Sequence, residues 1–177
     1  PLIVKEAVDF LRASIPTTID IRLDMDSDCR PVFADQTQIH QVILNLCTNA
    51  AQAMENEGGV LEIRLNHMEI SPAQIPDYPD MKPGFYVKLT VKDSGQGIEK
   101  QIMDKIFDPY FTTKEVGKGT GLGLSVIHGI IKDYQGYIRV DSEPGVGSRF
   151  RIFIPLLAGK ITSEDQSESV AVPSAGG

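Results

Sequence analysis

The sequence predicts an α/β domain in two layers, with helices covering one face of a sheet. Segments 2–13, 35–54 and 120–134 carry apolar residues at helical spacing, while 60–70 and 85–91 alternate apolar and polar residues as half-buried strands do. A turn-rich segment at 143–147 joins two further strand-like runs. With 177 residues, 41% of them apolar, the chain is one domain in size, and striped helices and one-sided strands are stable only when each covers the other.

The helix over 2–13 (LIVKEAVDFLRA) is stopped by Ser14-Ile15-Pro16, because a residue before proline is driven out of the helical region. Runs 18–23 and 31–34 are expected to be strands. Asp35 followed by Gln38 has capping-box spacing and opens the strongest helix, where Ile39, Val42, Ile43, Leu46, Cys47, Ala50 and Met54 form one stripe to lie on the sheet. Glu57-Gly58-Gly59 ends it, and 60–70 follows as a strand. Four prolines in 71–84 (SPAQIPDYPDMKPG) argue against a central strand or a helix there and predict an exposed connection. In the next strand Phe85, Val87, Leu89 and Val91 are expected inward, against Tyr86, Lys88, Thr90 and Lys92. A short helix over 99–105, an irregular stretch, and a helix over 120–134 closed by Gly136 come next. Runs 137–140 and 148–155 form a hairpin around Glu143-Pro144-Gly145-Val146-Gly147. The domain is expected over 1–157, and 158–177, rich in serine, acidic residues, proline and glycine, as a disordered tail or linker.

A net charge of −7 argues against a nucleic-acid surface, which needs clustered lysine and arginine. Cys29 and Cys47 are too few for a disulfide framework and lack zinc spacing; Cys47 falls in the helix stripe. No apolar run reaches the roughly 18 residues of a membrane-spanning helix and no signal peptide opens the chain, so no membrane contact is expected of it. An opening on Pro1 rather than methionine reads as a piece of a longer protein, cytoplasmic here, with room for a membrane anchor elsewhere in the parent.

Gly117-Lys118-Gly119-Thr120-Gly121-Leu122-Gly123-Leu124-Ser125 places four glycines at alternate positions before a helix. Each costs roughly 0.5–1 kcal/mol relative to alanine, so four in a folded loop point to close backbone approach, and free N–H groups at a helix N-terminus suit a phosphate. The spacing is neither G-x-x-x-x-G-K-[ST] nor G-x-G-x-x-G; a surface linker is the alternative. Continuing the strand past Val91 puts Asp93 on its apolar face. There it either closes the turn Asp93-Ser94-Gly95 or accepts a hydrogen bond from an adenine amine, with Gly95 and Gly97 admitting the base. Asn45 and Asn49 share a helix face with Gln41 and Gln52, and are either a solvated polar stripe or hard amide oxygens for magnesium. In IFDPYFTTK (106–114) three aromatics surround a proline, to pack on the domain or to form a mobile lid flanked by Lys114 and Lys118.

In this order the segments resemble the ATP-binding catalytic domain of sensor histidine kinases, within the GHKL superfamily shared with gyrase, MutL and the ninety-kilodalton chaperones. The resemblance runs from about Pro1 to Pro155. It rests on an N box (QVILNLCTNAAQAM, Gln41 to Met54), a G1 box (DSGQGI, Asp93 to Ile98), an F box (FDPYFTTK, Phe107 to Lys114), a G2 box (GTGLGLS, Gly119 to Ser125) and a terminal GVGSRFRIFIP. It implies a two-layer α/β sandwich (the Bergerat fold): a mixed, mostly antiparallel sheet covered on one face by helices, with an ATP lid. It further implies ATP and Mg²⁺ as cofactors, Asp93 on the adenine amine with Gly95, Gly97 and Ile98 along the base, and Asn49 on the metal. Asn45, Asn49 and Lys114 would stand nearest the chemistry. Phe107, Lys114, Lys118, Gly119, Thr120, Gly121, Leu122, Gly123 and Leu124 would enclose the triphosphate.

The function so implied is presentation of the γ-phosphoryl of Mg-ATP to a histidine on a dimerisation domain of the same parent, with a response-regulator receiver domain downstream. The chain by itself would be monomeric and unable to autophosphorylate, because His40, His67 and His128 lack the acidic neighbour and proline of a phosphoacceptor helix. Two departures matter. Gln52 stands where many members have lysine, so Lys114 or Lys118 is left to supply that charge; Asn45 stands where hydrolysing members have a water-activating glutamate. Other readings are an ATP-gated clamp of the gyrase or MutL kind, which Asn45 argues against, and a degenerate partner-binding domain.

Overall fold

The computed structural model describes residues 1–27, 32–114 and 119–156. Its elements are α1 (Leu2–Ser14), β1 (Ile19–Met25), α2 (Gln36–Ala53), β2 (Gly59–Ile70), β3 (Gly84–Asp93), α3 (Gly123–Asp133), β4 (Tyr137–Glu143) and β5 (Gly147–Pro155), with 3₁₀ turns at Pro72–Asp77 and Lys100–Lys105. The strands form one sheet in the order β1-β2-β3-β5-β4, parallel between β1 and β2 and antiparallel elsewhere. This is the mixed, mostly antiparallel sandwich that the resemblance implies.

Helices cover the face that carries the main apolar rows. Leu61, Ile63 and Leu65 of β2, Val87, Leu89 and Val91 of β3, and Phe150, Ile152 and Ile154 of β5 pack under α1, α2 and α3 in a single core. Alternate residues on these strands and on β1 (Arg22, Glu62, Arg64, Lys88, Lys92, Arg149) are charged and face away. The register aligns Leu61, Asp93 and Ser148 in one row across β2, β3 and β5, so a carboxylate ends the apolar face. Cys47 lies in the core, where burial pushes its thiol up to about 12.

Several expectations need correction. Residues 32–35 form no strand: the Asp35 N–H donates to the Tyr134 hydroxyl (2.8 Å) instead of a ladder, and Phe33 is exposed. Asp35 caps α2 by accepting the Gln38 N–H (3.0 Å), but the return half of the box is missing, because the Gln38 side chain accepts from that same Tyr134 hydroxyl. The segment 71–84 does contain a helical turn, Pro72–Asp77, since proline fits the first helical position and Ser71 with Gln74 closes the capping box. It also covers a second cluster on the opposite face (Ile70, Met81, Tyr86, Phe153), with Tyr78 edge-on to Phe153 at 6.1 Å. That cluster inverts the expected alternation at the start of β3: Tyr86 is 3% exposed and Phe85 52%. Residues 120–122 precede α3 rather than belonging to it, because Gly121 takes φ +66. The helix expected over 99–105 is the 3₁₀ turn Lys100–Lys105. The expected tail over 158–177 lies outside the described residues.

Tyr134 thus ties α2 to α3 across 96 residues of sequence. Tyr134→Phe should lower the unfolding free energy by about 1 kcal/mol in urea titrations, the net value of a hydrogen bond whose partners stay accessible to water.

Candidate functional site

Asp93 ends β3 at 5% exposure. Its Oδ1 accepts the Gly95 N–H (2.9 Å) and the Ser148 N–H (3.3 Å), while Oδ2 accepts no hydrogen bond among the described residues. Burial raises the carboxyl pKa above the ordinary aspartate value, and the two N–H donors oppose that rise. The result is a desolvated acceptor held in position by backbone, with one oxygen left over.

The loop after Asp93 is wedged between two backbones. A Cβ on Gly95 would lie 2.6 Å from the Ala53 carbonyl oxygen, which also accepts the Gln96 N–H (3.2 Å). Gly97 sits at φ +72, and a Cβ there would lie 2.1 Å from the Glu143 carbonyl oxygen. The close approach that these glycines permit is therefore taken up by the protein's own main chain. The Ile98 N–H donates to Ser142 Oγ (2.8 Å), which lies 2.9 Å from Ser148 Oγ. Ser142 and Ser148 were not singled out from sequence. The available signal was two hydroxyls at inward register positions of a hairpin that otherwise turns Ile138, Val140, Phe150 and Ile152 inward.

The second wall is α2. Asn45 and Asn49 are half-buried one turn apart, and Ala53, one turn further on, touches Gly95. Asn45 Nδ2 donates to the Gly123 carbonyl (3.4 Å), and a Cβ on Gly123 would stand 3.9 Å from Asn49 Nδ2. The start of α3, with its free N–H groups, therefore abuts both asparagines. Lys114 reaches the same corner: its Nζ donates to Gln52 Oε1 and lies 3.5 Å from Asn49 Oδ1. Partial burial lowers its ammonium pKa below the ordinary lysine value.

In the F box Phe107 packs on His128 of α3 (5.4 Å between ring centroids), and Phe107 and Phe111 both lie against the core. Tyr110 points outward at 77% exposure, with φ +66 and its N–H on the Gly121 carbonyl (2.9 Å). Gly121 must be glycine, since a Cβ would meet the Tyr110 backbone at 2.5 Å. Thr120 Oγ1 accepts the Leu122 N–H (3.3 Å); Leu122 is exposed and Leu124 half-buried against the core. Lys118 lies outside the described residues.

The structure thus brings Asn45, Asn49, Lys114, Gly119 and Gly123 to one corner, sets Gly121 against the Tyr110 backbone, and ties Asp93, Gly95, Gly97 and Ile98 to the α2 end and the β4–β5 turn. Among the described residues no three of His, Cys, Asp and Glu are grouped to hold a metal. What the corner offers is amide oxygen, a hard donor that fits Mg²⁺ when phosphate and water complete the coordination. No helix among the described residues is long and apolar enough to cross a membrane.

Residues 34–158 match the family model described as histidine kinase-, DNA gyrase B-, and HSP90-like ATPase. The chain is 45% identical over 147 residues to the sensor kinase CckA of Brucella abortus, covering 83% of this chain and 15% of that protein. It is 35% identical to the signal transduction histidine-protein kinase AtoS of Escherichia coli, covering 81% of this chain and 21% of that one. The chain therefore spans only a small part of these relatives' length. Among solved structures, a nucleotide-free catalytic domain of the histidine kinase ThkA superposes with a TM-score of 0.67 at 33% identity, covering 86% of this chain and 90% of that domain.

Because the folded pKa of Asp93 is raised, the stability linked to its protonation is fully present below the unfolded aspartate pKa and is lost as pH rises through the folded value. Asp93→Asn keeps an oxygen for both N–H donors and does not titrate. Urea unfolding of the two proteins should therefore shift progressively in the variant's favour as pH rises above about 4, the ordinary aspartate range. A pH-independent difference would show that the carboxylate is not desolvated.

Proposed function

The chain belongs to the histidine kinase-, DNA gyrase B- and HSP90-like ATPase family, and on that premise we propose that it is the ATP-binding catalytic domain of a two-component sensor histidine kinase. It presents the γ-phosphoryl of Mg-ATP to a histidine on a dimerisation domain of its parent. The observation that carries the reading is Asp93. A buried carboxylate with one oxygen fixed by backbone and the other free is an acceptor for a donor arriving from outside, and the exocyclic amine of adenine is such a donor.

In this reading Gly95, Gly97 and Ile98 shape the wall beside the base. Asn49 would hold Mg²⁺, and Asn45 fixes the start of α3 through the Gly123 carbonyl. The N–H groups at the end of the 119–124 loop face the phosphates, with Thr120, Leu122 and Leu124 setting its path. Phe107 anchors the lid on α3, and Lys114 and Lys118 supply positive charge. The bound Mg²⁺ would neutralise charge on the phosphate oxygens as the acceptor imidazole forms its N–P bond and the bond to the ADP oxygen breaks. The chain's residues supply positioning and charge.

No carboxylate stands at Asn45 to activate water, so hydrolysis by this domain is slow and the clamp reading is not favoured. The parent's histidine-containing domain, a receiver domain downstream, a cytoplasmic location, a domain bounded at 1–157 and a monomeric isolated domain belong to the same proposal. Its test is transfer of labelled γ-phosphate to the parent's histidine-containing domain added in trans. Wild type should yield acid-labile phosphohistidine and no label on the chain itself. Asn49→Asp and Asp93→Asn should each cut the rate by roughly two orders of magnitude. Unchanged transfer in both variants would contradict the assignment.

A further inference from the structure

We propose that Gln52 is a positioning residue: its amide oxygen holds the Lys114 ammonium beside Asn49, so that the cation meeting the terminal phosphate is delivered by the lid and seated by α2. The inference rests on the ATP-binding reading above and adds to it a residue and a direction of delivery.

Three segments converge on this lysine. Gln52 follows Asn49 by three residues on α2, which places both side chains on one face of the helix. Lys114 Nζ donates to Gln52 Oε1 and lies 3.5 Å from Asn49 Oδ1. At the root of the lid, Thr112 Oγ1 accepts the Lys114 N–H (3.1 Å) and fixes the backbone from which the side chain leaves. From the glycine loop, Gly119 clears the path: a Cβ there would stand 2.9 Å from Lys114 Cδ.

The chemistry of the seat decides what it is for. A carboxylate partner would tie the lysine to the helix and cancel its charge. Here the partners are two neutral amides, and among the described residues Lys114 makes no ion pair. Among the described residues the ammonium is therefore oriented without being neutralised, and it shares Asn49 with the helix start at Gly123. A cation held by neutral amides near a helix N-terminus favours an anion. Without nucleotide the ammonium shares Asn49 Oδ1. With Mg-nucleotide bound, Asn49 would be engaged by the metal and Gln52 would be left to hold the lysine for the outermost phosphate. Nucleoside triphosphate and diphosphate should therefore differ in their dependence on this pair.

Calorimetric binding of a non-hydrolysable ATP analogue and of ADP, both with Mg²⁺, tests the proposal on the chain itself. Lys114→Ala should weaken the analogue about tenfold, the scale of one charge-assisted hydrogen bond, and leave ADP within about twofold. Gln52→Glu should weaken the analogue selectively as well, because a carboxylate seat neutralises the ammonium. Adding Gln52→Lys to Lys114→Ala places the charge on α2 itself and should restore most of the analogue affinity. A merely structural role for Lys114 would lower both nucleotides together and would not be rescued from the helix side. Equal losses for the two ligands, or no rescue in a double variant that still binds ADP, would overturn the proposal while leaving the ATP-binding reading standing. Failure of wild type to bind either nucleotide would bring down that reading, and this proposal with it.

Discussion

The burial of the Asp93 carboxylate at the end of the apolar face is the constraint on which the rest of the site depends. A charge taken out of water needs donors, and at the end of a strand the nearest ones are backbone N–H groups. The Gly95 N–H becomes available only if the chain turns at once after Asp93, and the Ser148 N–H only if β5 begins alongside it. The turn then has to pass between the end of α2 and the β4–β5 hairpin, where side chains at 95 and 97 would strike carbonyl oxygens. Gly147, where a Cβ would lie 2.1 Å from the Asp93 carbonyl oxygen, completes the enclosure from the other side. One buried carboxylate thus draws Gly95, Gly147 and Ser148 together, with Gly97 and Ser142 packed around the same turn.

The second half of the site is organised around neutral amides. Asn45, Asn49 and Gln52 line the exposed side of a helix whose opposite side is core. Their oxygens and N–H groups meet the start of α3 and the root of the lid. Neutral groups hold those parts in place without cancelling charge, which suits a site whose ligand brings its own negative charge and its own metal. The rigid frame comes from the sheet and from Tyr134, whose hydroxyl links the N-terminus of α2 to the C-terminus of α3.

Sequence reasoning reached the layers and most of the elements because the apolar periods of α1, α2 and α3 and the alternation in β2 and β5 are strong local signals. It failed where a distant segment changed the local meaning. The strand expected at 31–34 ignored the claim of Tyr134 on the Asp35 N–H, about a hundred residues away. Phe85 and Tyr86 exchanged roles because the proline-rich connection builds a small core on the face that alternation assigns to solvent. At the site, the residue types of Asp93, Asn45, Asn49 and the glycines were legible because each is costly without a reason. Ser142 and Ser148 were not, since a serine in a hairpin is unremarkable until the register shows it beside a carboxylate. The missing charge at Gln52 was legible as a departure, and only the fold shows Lys114 reaching it.

The central claim is that Asp93 reads a hydrogen-bond donor on the base. Inosine triphosphate tests it most directly, because it presents a carbonyl where ATP presents the amine and leaves ribose, triphosphate and metal unchanged. Calorimetry with Mg²⁺ and non-hydrolysable forms of both nucleotides should show the inosine compound binding roughly 10 to 100 times more weakly, since an acceptor then faces a buried acceptor. Equal affinities would mean that the carboxylate serves only to close its turn, and that the base, if it binds, is held elsewhere.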